Sequence, residues 1–544
     1  MDTTLFEPPG PGQWALDRSH YPGGTTPISQ WLLAHCMGAG MERVFDESGL
    51  PARRIDTEFV NGFMYTRLVP LIGGDKPPRP LPPAIVLKIA TRLHPEFRKR
   101  TKLAKAGRVE RRFESVVEQW HTEIRPRLRA ANLEFQRFDV DAATDAELRG
   151  HIAGLLDHLV ETIELHFYLH GHDLGPIANY LYRCIGWGLD PTTAISALAG
   201  ASPTTAVPGR RLVDLRTHVD AAPGPVDSLD DVRAISAEAA ALLDEHLVEH
   251  GHVLATGYDI TSFTLAELPA VLLGSIRTAT HPGEHGPDPA LVAAELRSGV
   301  PAAERAEFDG LLGDARSVMD MRDDNGPLTV EWPMGLLRRG LLAAGRPLAD
   351  RGKLHDAEHV LDLLPAEARS IFADELPSAD EMQARADART HAARLDPPDT
   401  LGPDEPEPPL DVMPKPLADL VATVKVALTH LGMDGDTSAD PLVGVGIGSD
   451  TYIGRVCSAD TADEAIERLE PGDVLVVRAT SPAFNAVLAL AGAVVTANGG
   501  VLSHAAVLAR ELGIPAVIGA SGALDIDHGA MVEVDPLAGR VTVR

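Results

Sequence analysis

Apolar residues recur at three- and four-residue spacing through long windows of the N-terminal part of the chain, most clearly over residues 145–170, 230–250 and 301–321. That is the pattern of helices burying one stripe. Windows alternating with period two are few; residues 59–68 and 84–89 are the exceptions and are expected as short strands. From about residue 14 to residue 364 the pattern predicts a helix-dominated domain with minor β decoration.

The pattern then changes twice. Between residues 385 and 416 an acidic stretch is punctuated by Pro397, Pro398, Pro403, Pro406, Pro408, Pro409, Pro414 and Pro416. Proline at this density predicts an extended, semi-rigid spacer that would let a following domain move as a body. After a short helix over 417–431, β-type runs at 472–478, 493–496, 516–518 and 531–534 alternate with helical segments at 463–469, 481–491 and 504–512, the signature of a compact α/β domain. The expected fold class is therefore multidomain: a mainly α N-terminal domain (1–384), a Pro-rich linker with a short helix (385–440) and a C-terminal α/β domain (441–544). No internal repeat is evident.

Charge narrows the partners. With 49 basic against 78 acidic residues the chain carries a formal charge of -29, which argues against a binder of phosphate backbones, so no nucleic acid is expected. The exception is a basic run formed by Arg98, Lys99, Arg100, Lys102, Lys105, Arg108, Arg111 and Arg112. It reads either as a solvated helix face or as a docking patch for an acidic partner. Three widely separated cysteines, Cys36, Cys184 and Cys457, suggest neither a disulfide framework nor a zinc knuckle. The first ten residues lack a signal-peptide pattern, and the most apolar stretch, 474–497, is interrupted by Arg478, Ser481, Pro482 and Asn485. No membrane association and a cytoplasmic location are expected.

The stretch 498–519, Asn-Gly-Gly-Val-Leu-Ser-His-Ala-Ala-Val-Leu-Ala-Arg-Glu-Leu-Gly-Ile-Pro-Ala-Val-Ile-Gly, carries the candidate chemistry. It reads as glycine turn, helix, stop, strand: Ser503 suits the N-cap, 505–512 are good helix formers, Gly513 suits a left-handed C-terminal position and Pro515 ends the helix. His504 then falls in the first turn, where unpaired backbone N–H groups and the positive dipole end favour an anion. Gly499 and Gly500 let the backbone approach a phosphoryl group closely. Imidazole is a competent nucleophile near neutral pH. On spacing alone, a histidine merely starting a helix after a glycine turn remains an equal reading.

The whole run resembles the phosphohistidine signature of the phosphoenolpyruvate-utilising enzymes, such as phosphoenolpyruvate synthase, pyruvate phosphate dikinase and rifampin phosphotransferase. The likeness extends over about residues 442–544, through Gly446, Gly448, Ser449, Gly454-Arg455-Val456 and the run 471–476. It implies a swivelling phosphohistidine domain with His504 as the phosphoryl carrier, cradled by Gly499, Gly500 and Ser503. Asn498 departs from the family, where an acidic residue or glycine is common, and this bears on the acid–base surroundings of His504.

In that family an ATP-grasp domain loads the histidine. No Gly-x-x-x-x-Gly-Lys run occurs here, and no βα repeat suggests a phosphoenolpyruvate-binding barrel. The N-terminal part resembles, in scattered pieces, the helical acceptor-binding region of rifampin phosphotransferase and phenylphosphate-synthase-like proteins: Trp14, Asp17, His20 and Pro22; residues 60–65; His250-Gly251-His252 leading to Tyr258-Asp259-Ile260; Glu267 and Pro269; and Met321-Arg322-Asp323. That resemblance implies that Arg322 steadies the phosphoryl group, a role a guanidinium fork suits, though an interdomain salt bridge is an equal reading. It also makes Asn61, Tyr65 and His252 candidate substrate contacts, against a turn asparagine and a packed tyrosine. His252 stands where arginine is commoner, and Gly326 where lysine often is. His166, His170 and His172 have helical spacing that could bind a metal but read better as a helix face, so no metal site is expected.

Together these features imply a dikinase-type phosphotransferase subunit. A separate ATP-grasp protein, holding Mg2+ and ATP at its own site and cleaving ATP to AMP and phosphate, would phosphorylate His504, which would pass the group to a small hydroxylated acceptor. The alternative is a non-catalytic ligand-binding or regulatory protein whose His504 is never loaded.

Overall fold

The structure is a computed structural model describing residues 6–17, 20–21, 23–279, 288–373, 376–431, 440–480, 484–488 and 490–544. It divides into two compact units, one of residues 1–172, 258–261 and 325–422, the other of residues 173–257, 262–324 and 423–544. The expected Pro22 and parts of the expected segments 385–440 and 481–491 lie outside the described residues.

The first unit combines helices with a four-stranded sheet in the order β2-β3-β1-β4: β1 Trp14–Leu16, β2 Ala52–Val60, β3 Phe63–Pro70 and β4 Thr400–Leu401. The run 59–68, expected as one strand, is two. Val60 pairs with Phe63 across Asn61-Gly62, whose φ angles are 51° and 77°, the left-handed pair that a tight hairpin requires and that Asn-Gly supplies. The run 84–89, also expected as a strand, is the helix Ala84–Leu93. Its β-branched apolar residues point outward, with Ile85 69%, Val86 48% and Ile89 54% exposed, so they mimicked a strand's composition without its alternation.

Part of the proline-rich stretch expected as a semi-rigid spacer is held against the first unit's sheet. Trp14 pairs with Leu401 and Ala15 with Thr400; the Tyr65 hydroxyl donates to the Pro398 carbonyl at 2.8 Å; and the buried Arg67 meets the Glu405 carboxylate at 3.2 Å. Residues 379–392, where the linker was expected to begin, are helix. Ile152, Leu155, Leu156, Leu159 and Ile163 of the helix Asp145–Gly186 are buried at three- and four-residue spacing, as the sequence pattern requires.

The second unit contains a seven-stranded sheet in the order β11-β10-β6-β7-β8-β9-β5, built from β5 Val445–Ile447, β6 Tyr452–Ser458, β7 Val474–Val477, β8 Ala493–Thr496, β9 Ala516–Ile518, β10 Met531–Asp535 and β11 Arg540–Val543. Strands β6 to β9 run parallel; β5 and the β10–β11 hairpin close the edges antiparallel. Every residue of β7, β8 and β9 is buried, as expected of parallel strands covered on both faces. One face packs with Ala462, Ala465, Val487, Ala505 and Ala509, the other with Ala523, Ile526, Val532 and Val541. Among the described residues, no helix is long and apolar enough to cross a membrane.

Candidate functional site

The β8 strand ends at Thr496 and the chain turns through Asn498, Gly499 and Gly500 into the helix His504–Leu512. Gly499 has φ 123°, a conformation side-chain-bearing residues rarely adopt. Gly500 is required by space: a Cβ there would stand 2.4 Å from the His430 carbonyl oxygen, which also accepts from Leu502 N at 2.8 Å. Ser503 caps the helix, its side chain accepting from Ala506 N, and Gly513 ends it at φ 67°. From within the helix Arg510 donates to the Val501 carbonyl at 2.6 Å, fastening the loop to the helix it precedes.

His504 is the first residue of that helix, partly exposed, with Nδ1 3.1 Å from the Thr480 hydroxyl. Thr480 follows β7, so the parallel pair β7–β8 delivers both the ring and the group that orients it. Nδ1 is thus engaged by a hydroxyl of the protein. Backbone N–H groups of the first turn supply the electrostatics for a phosphoryl group.

Arg322 belongs to the same unit. It lies in the helix Met319–Gly326 with 17% of its side chain exposed, 3.9 Å from the fully buried Asp173. With Leu198 and Asp323 it lines a cleft completed by Leu502, Val507 and Arg510. His252 is also in this unit, in the turn after the helix Ala237–His250.

Asn61 and Tyr65 belong to the other unit. Asn61 is exposed at the hairpin tip, and its residue type is what the turn's geometry demands. Tyr65 is 0% exposed and packs with Trp14, Phe63 and Leu401, its hydroxyl directed at Pro398; it serves the sheet rather than facing a ligand. His166 and His170 stack edge to face at 4.4 Å, His166 Nδ1 lies 3.0 Å from Thr329 Oγ1, and His172 lies 3.6 Å from Glu47. Among the described residues, no group of three or more His, Cys, Asp or Glu is arranged to hold a metal ion.

In the first unit the structure brings together Asp17, His20, Tyr258 and Asp259, which the resemblance named as separate pieces, with Tyr21, which it did not name. Asp17 and His20 follow β1; Asp17 Oδ2 lies 2.8 Å from His20 Nδ1. The His20 ring lies 5.3 Å from Tyr258, which is 6.1 Å from Tyr21, and Asp259 accepts from Thr26 N at 2.8 Å. Glu331, 1% exposed, ends the π-helical turn Pro327–Glu331, near enough to His20, Tyr21 and Tyr258 for its charge to act on them. Pro327 lacks the N–H for a regular turn, and such widened turns recur at functional sites. Burial pushes the Glu331 carboxyl up to about 7, its own backbone N–H and His20 drawing it down. Asp17 raises the His20 imidazole against the opposing effect of burial, and Glu331 adds to the rise. Burial lifts the phenols of Tyr21 and Tyr258 well above their usual range. The sequence signal was a lone acid within the apolar run 328–334.

Residues 469–539 match the family model of the mobile domain of phosphoenolpyruvate-utilising enzymes. A phosphoenolpyruvate synthase of Aeropyrum pernix is 46% identical over 89 residues, 16% of this chain and 11% of that protein. An uncharacterised phosphotransferase of Bacillus subtilis, YvkC, is 26% identical over 309 residues, 55% of this chain and 36% of that protein. An uncharacterised protein of Mycobacterium tuberculosis is 35% identical over 209 residues, 38% of this chain and 21% of that protein. The chain thus spans about a fifth of the length of the mycobacterial relative and little more than a third of the Bacillus one. Residues 469–539, His504 among them, are therefore similar to the mobile domain of the phosphoenolpyruvate-utilising enzymes.

Proposed function

We propose that the protein is a phosphotransferase in which His504 Nε2 carries a phosphoryl group from a separate ATP-grasp protein to a small hydroxylated acceptor. The observation that carries this reading is His504 itself: a histidine opening a capped helix behind Gly499-Gly500, with Nδ1 engaged by Thr480, inside a segment matching the mobile domain.

In loading, the Nε2 lone pair attacks the donor phosphorus and the P–O bond to the leaving group breaks, the leaving group keeping the electron pair. The Nδ1 proton stays against Thr480 Oγ1, which keeps the tautomer with Nε2 nucleophilic. First-turn N–H groups and the helix dipole stabilise the phosphoryl oxygens, and Arg322 adds a cation on the discharge side. Mg2+ and ATP belong to the partner's site, ATP leaving as AMP and phosphate. The cytoplasm suits the labile P–N bond and the buried, free thiols of Cys36, Cys184 and Cys457.

The test is intact-mass analysis after incubation with Mg2+, ATP and a co-expressed ATP-grasp protein, beside His504→Ala. An acid-labile phosphate that needs the partner and is lost in the variant supports the reading. A chain that no donor loads would be a ligand-binding protein instead.

A further inference from the structure

The helix Ala84–Leu93 of the first unit exposes its apolar stripe instead of burying it. A surface helix ordinarily turns that stripe to the core and its polar face to water. Here Thr91 alone is buried and Leu87 half-buried. Polar bonds hold the helix in place: the Thr91 hydroxyl donates to the Val412 carbonyl at 2.7 Å, and the Arg92 guanidinium donates to the same oxygen at 3.1 Å. Ile85, Ile89 and Leu93, spaced four residues apart and so lying along one face, are 69%, 54% and 69% exposed, and Val86 is 48% exposed. Scattered single aliphatic side chains on a surface are ordinary, but four gathered on one short helix make a patch, and such patches mark interaction surfaces. Ile85, Lys88, Ile89, Arg92 and Leu93 line an open groove of about 300 Å3.

The helix that follows, Pro95–Glu110, supplies charge. Its inner side is fixed by the buried Arg100, whose guanidinium bonds the Phe45 carbonyl and the Asp46 carboxylate, and by the buried Ala104. Arg98, Lys99, Lys102 and Lys105 are left exposed. With Lys88 and Arg92, also exposed, six cations stand on two consecutive helices of a chain whose formal charge is -29. Against them stand Asp411, 3.9 Å from Lys88, Glu96, 3.9 Å from Lys99, and Glu110 at the helix end, so the surface stays net positive.

An acidic protein or an anionic bilayer could cover such a face, and its composition decides between them. Protein–protein interfaces are enriched in aromatic residues and methionine and depleted in lysine. Residues 84–110 contain no tyrosine, tryptophan or methionine, Phe97 is half-buried, and four of the six exposed cations are lysines. Lysine and arginine framing an exposed aliphatic stripe is instead the pattern of helices that lie in the headgroup layer of anionic membranes.

We propose that the helices Ala84–Leu93 and Pro95–Glu110 form a docking face for an anionic lipid bilayer. Ile85, Val86, Ile89 and Leu93 enter the boundary between headgroups and acyl chains, while the lysines and arginines meet the lipid phosphates. The expectation of no membrane association rested on spans and leader sequences, and an interfacial helix needs neither.

The test is flotation of the full chain with vesicles of phosphatidylcholine, alone or mixed in equal parts with phosphatidylglycerol. The chain should float with the mixed vesicles at least about tenfold better than with phosphatidylcholine alone, and added salt should weaken that binding. Each cation near an anionic surface is worth roughly fivefold in affinity, so replacing Lys99, Lys102 and Lys105 together by glutamine should weaken binding roughly a hundredfold. Ile89→Asp, at an exposed position, should weaken it by about tenfold or more while leaving the urea midpoint unaltered. A chain that ignores the mixed vesicles would overturn the proposal, and so would equal binding by Ile89→Asp and the parent, which would mean adsorption by charge alone. A chain that leaves the vesicles alone but binds polyglutamate through the same lysines would assign the face to an acidic protein and equally overturn it.

Discussion

The Thr480 hydroxyl lies 3.1 Å from Nδ1 of His504, so this ring nitrogen is engaged by the protein. The phosphoryl group should therefore reside on Nε2, which phosphorus NMR of the loaded chain distinguishes from Nδ1. Thr480→Val should slow loading by roughly tenfold by releasing the ring, and should cost only about 1 kcal/mol of stability, the net worth of one neutral hydrogen bond. A variant that loads at the normal rate on Nε2 would show that Thr480 does not orient the ring.

Gly500 marks where the loop meets the helix Lys415–Leu431. Gly500→Ala would bring a Cβ to 2.4 Å from a backbone oxygen of His430, which must shift and disturb the hydrogen bond it accepts from Leu502 N. The expected cost is about 1–3 kcal/mol, read as a lowered urea midpoint, with loading of His504 impaired in parallel.

The helix around His504 was legible because local rules agree there: a serine cap, good helix formers and a glycine at the left-handed end. The strands of the same unit were legible because parallel strands buried on both faces are runs of valine and alanine. Residues 84–93 misled because exposed β-branched side chains carry a strand's composition on a helix. The hairpin at Asn61-Gly62 was hidden because the apolar pattern continues on both sides of the turn. What holds the Pro-rich stretch, the Tyr65 hydroxyl, the Arg67 guanidinium and β1, was not legible because it lies far away in sequence. Asp17, His20, Tyr258 and Asp259 were legible only through the resemblance, since no spacing links them, and Glu331, on a π-helical turn far away in sequence, was not legible at all.

Acid should weaken the second unit through His246. It is 3% exposed, and burial above all, then His250 and Arg211, lowers it to about 3. Its folded value lies below its unfolded one, so the stability it contributes is complete above about pH 6.5 and is lost progressively as pH falls toward 3. At pH 5 the loss is about 2 kcal/mol. Urea midpoints at pH 7 and pH 5 should separate less in His246→Leu than in the parent; equal separations would refute this.

Glu331 has the opposite sign. Its folded value of about 7 exceeds the unfolded carboxylate value, so its contribution is complete below about pH 4.5 and is lost as pH rises through 7. Glu331→Gln should accordingly gain on the parent as pH rises, by about 3 kcal/mol at pH 8. Such a gain is expected where a group is kept for function at the expense of stability. Parallel pH–stability curves for the two proteins would show that Glu331 is not held protonated.

The central claim is that His504 carries phosphate. It is tested most directly by mapping the phosphorylated peptide under alkaline conditions, after incubating the full chain with Mg2+, ATP and an ATP-grasp protein, or with phosphoenolpyruvate alone. The account predicts one acid-labile phosphate, on His504, that appears with the ATP-grasp partner and never in His504→Ala. Phosphate on another residue, or an unmodified chain with every donor, would contradict it.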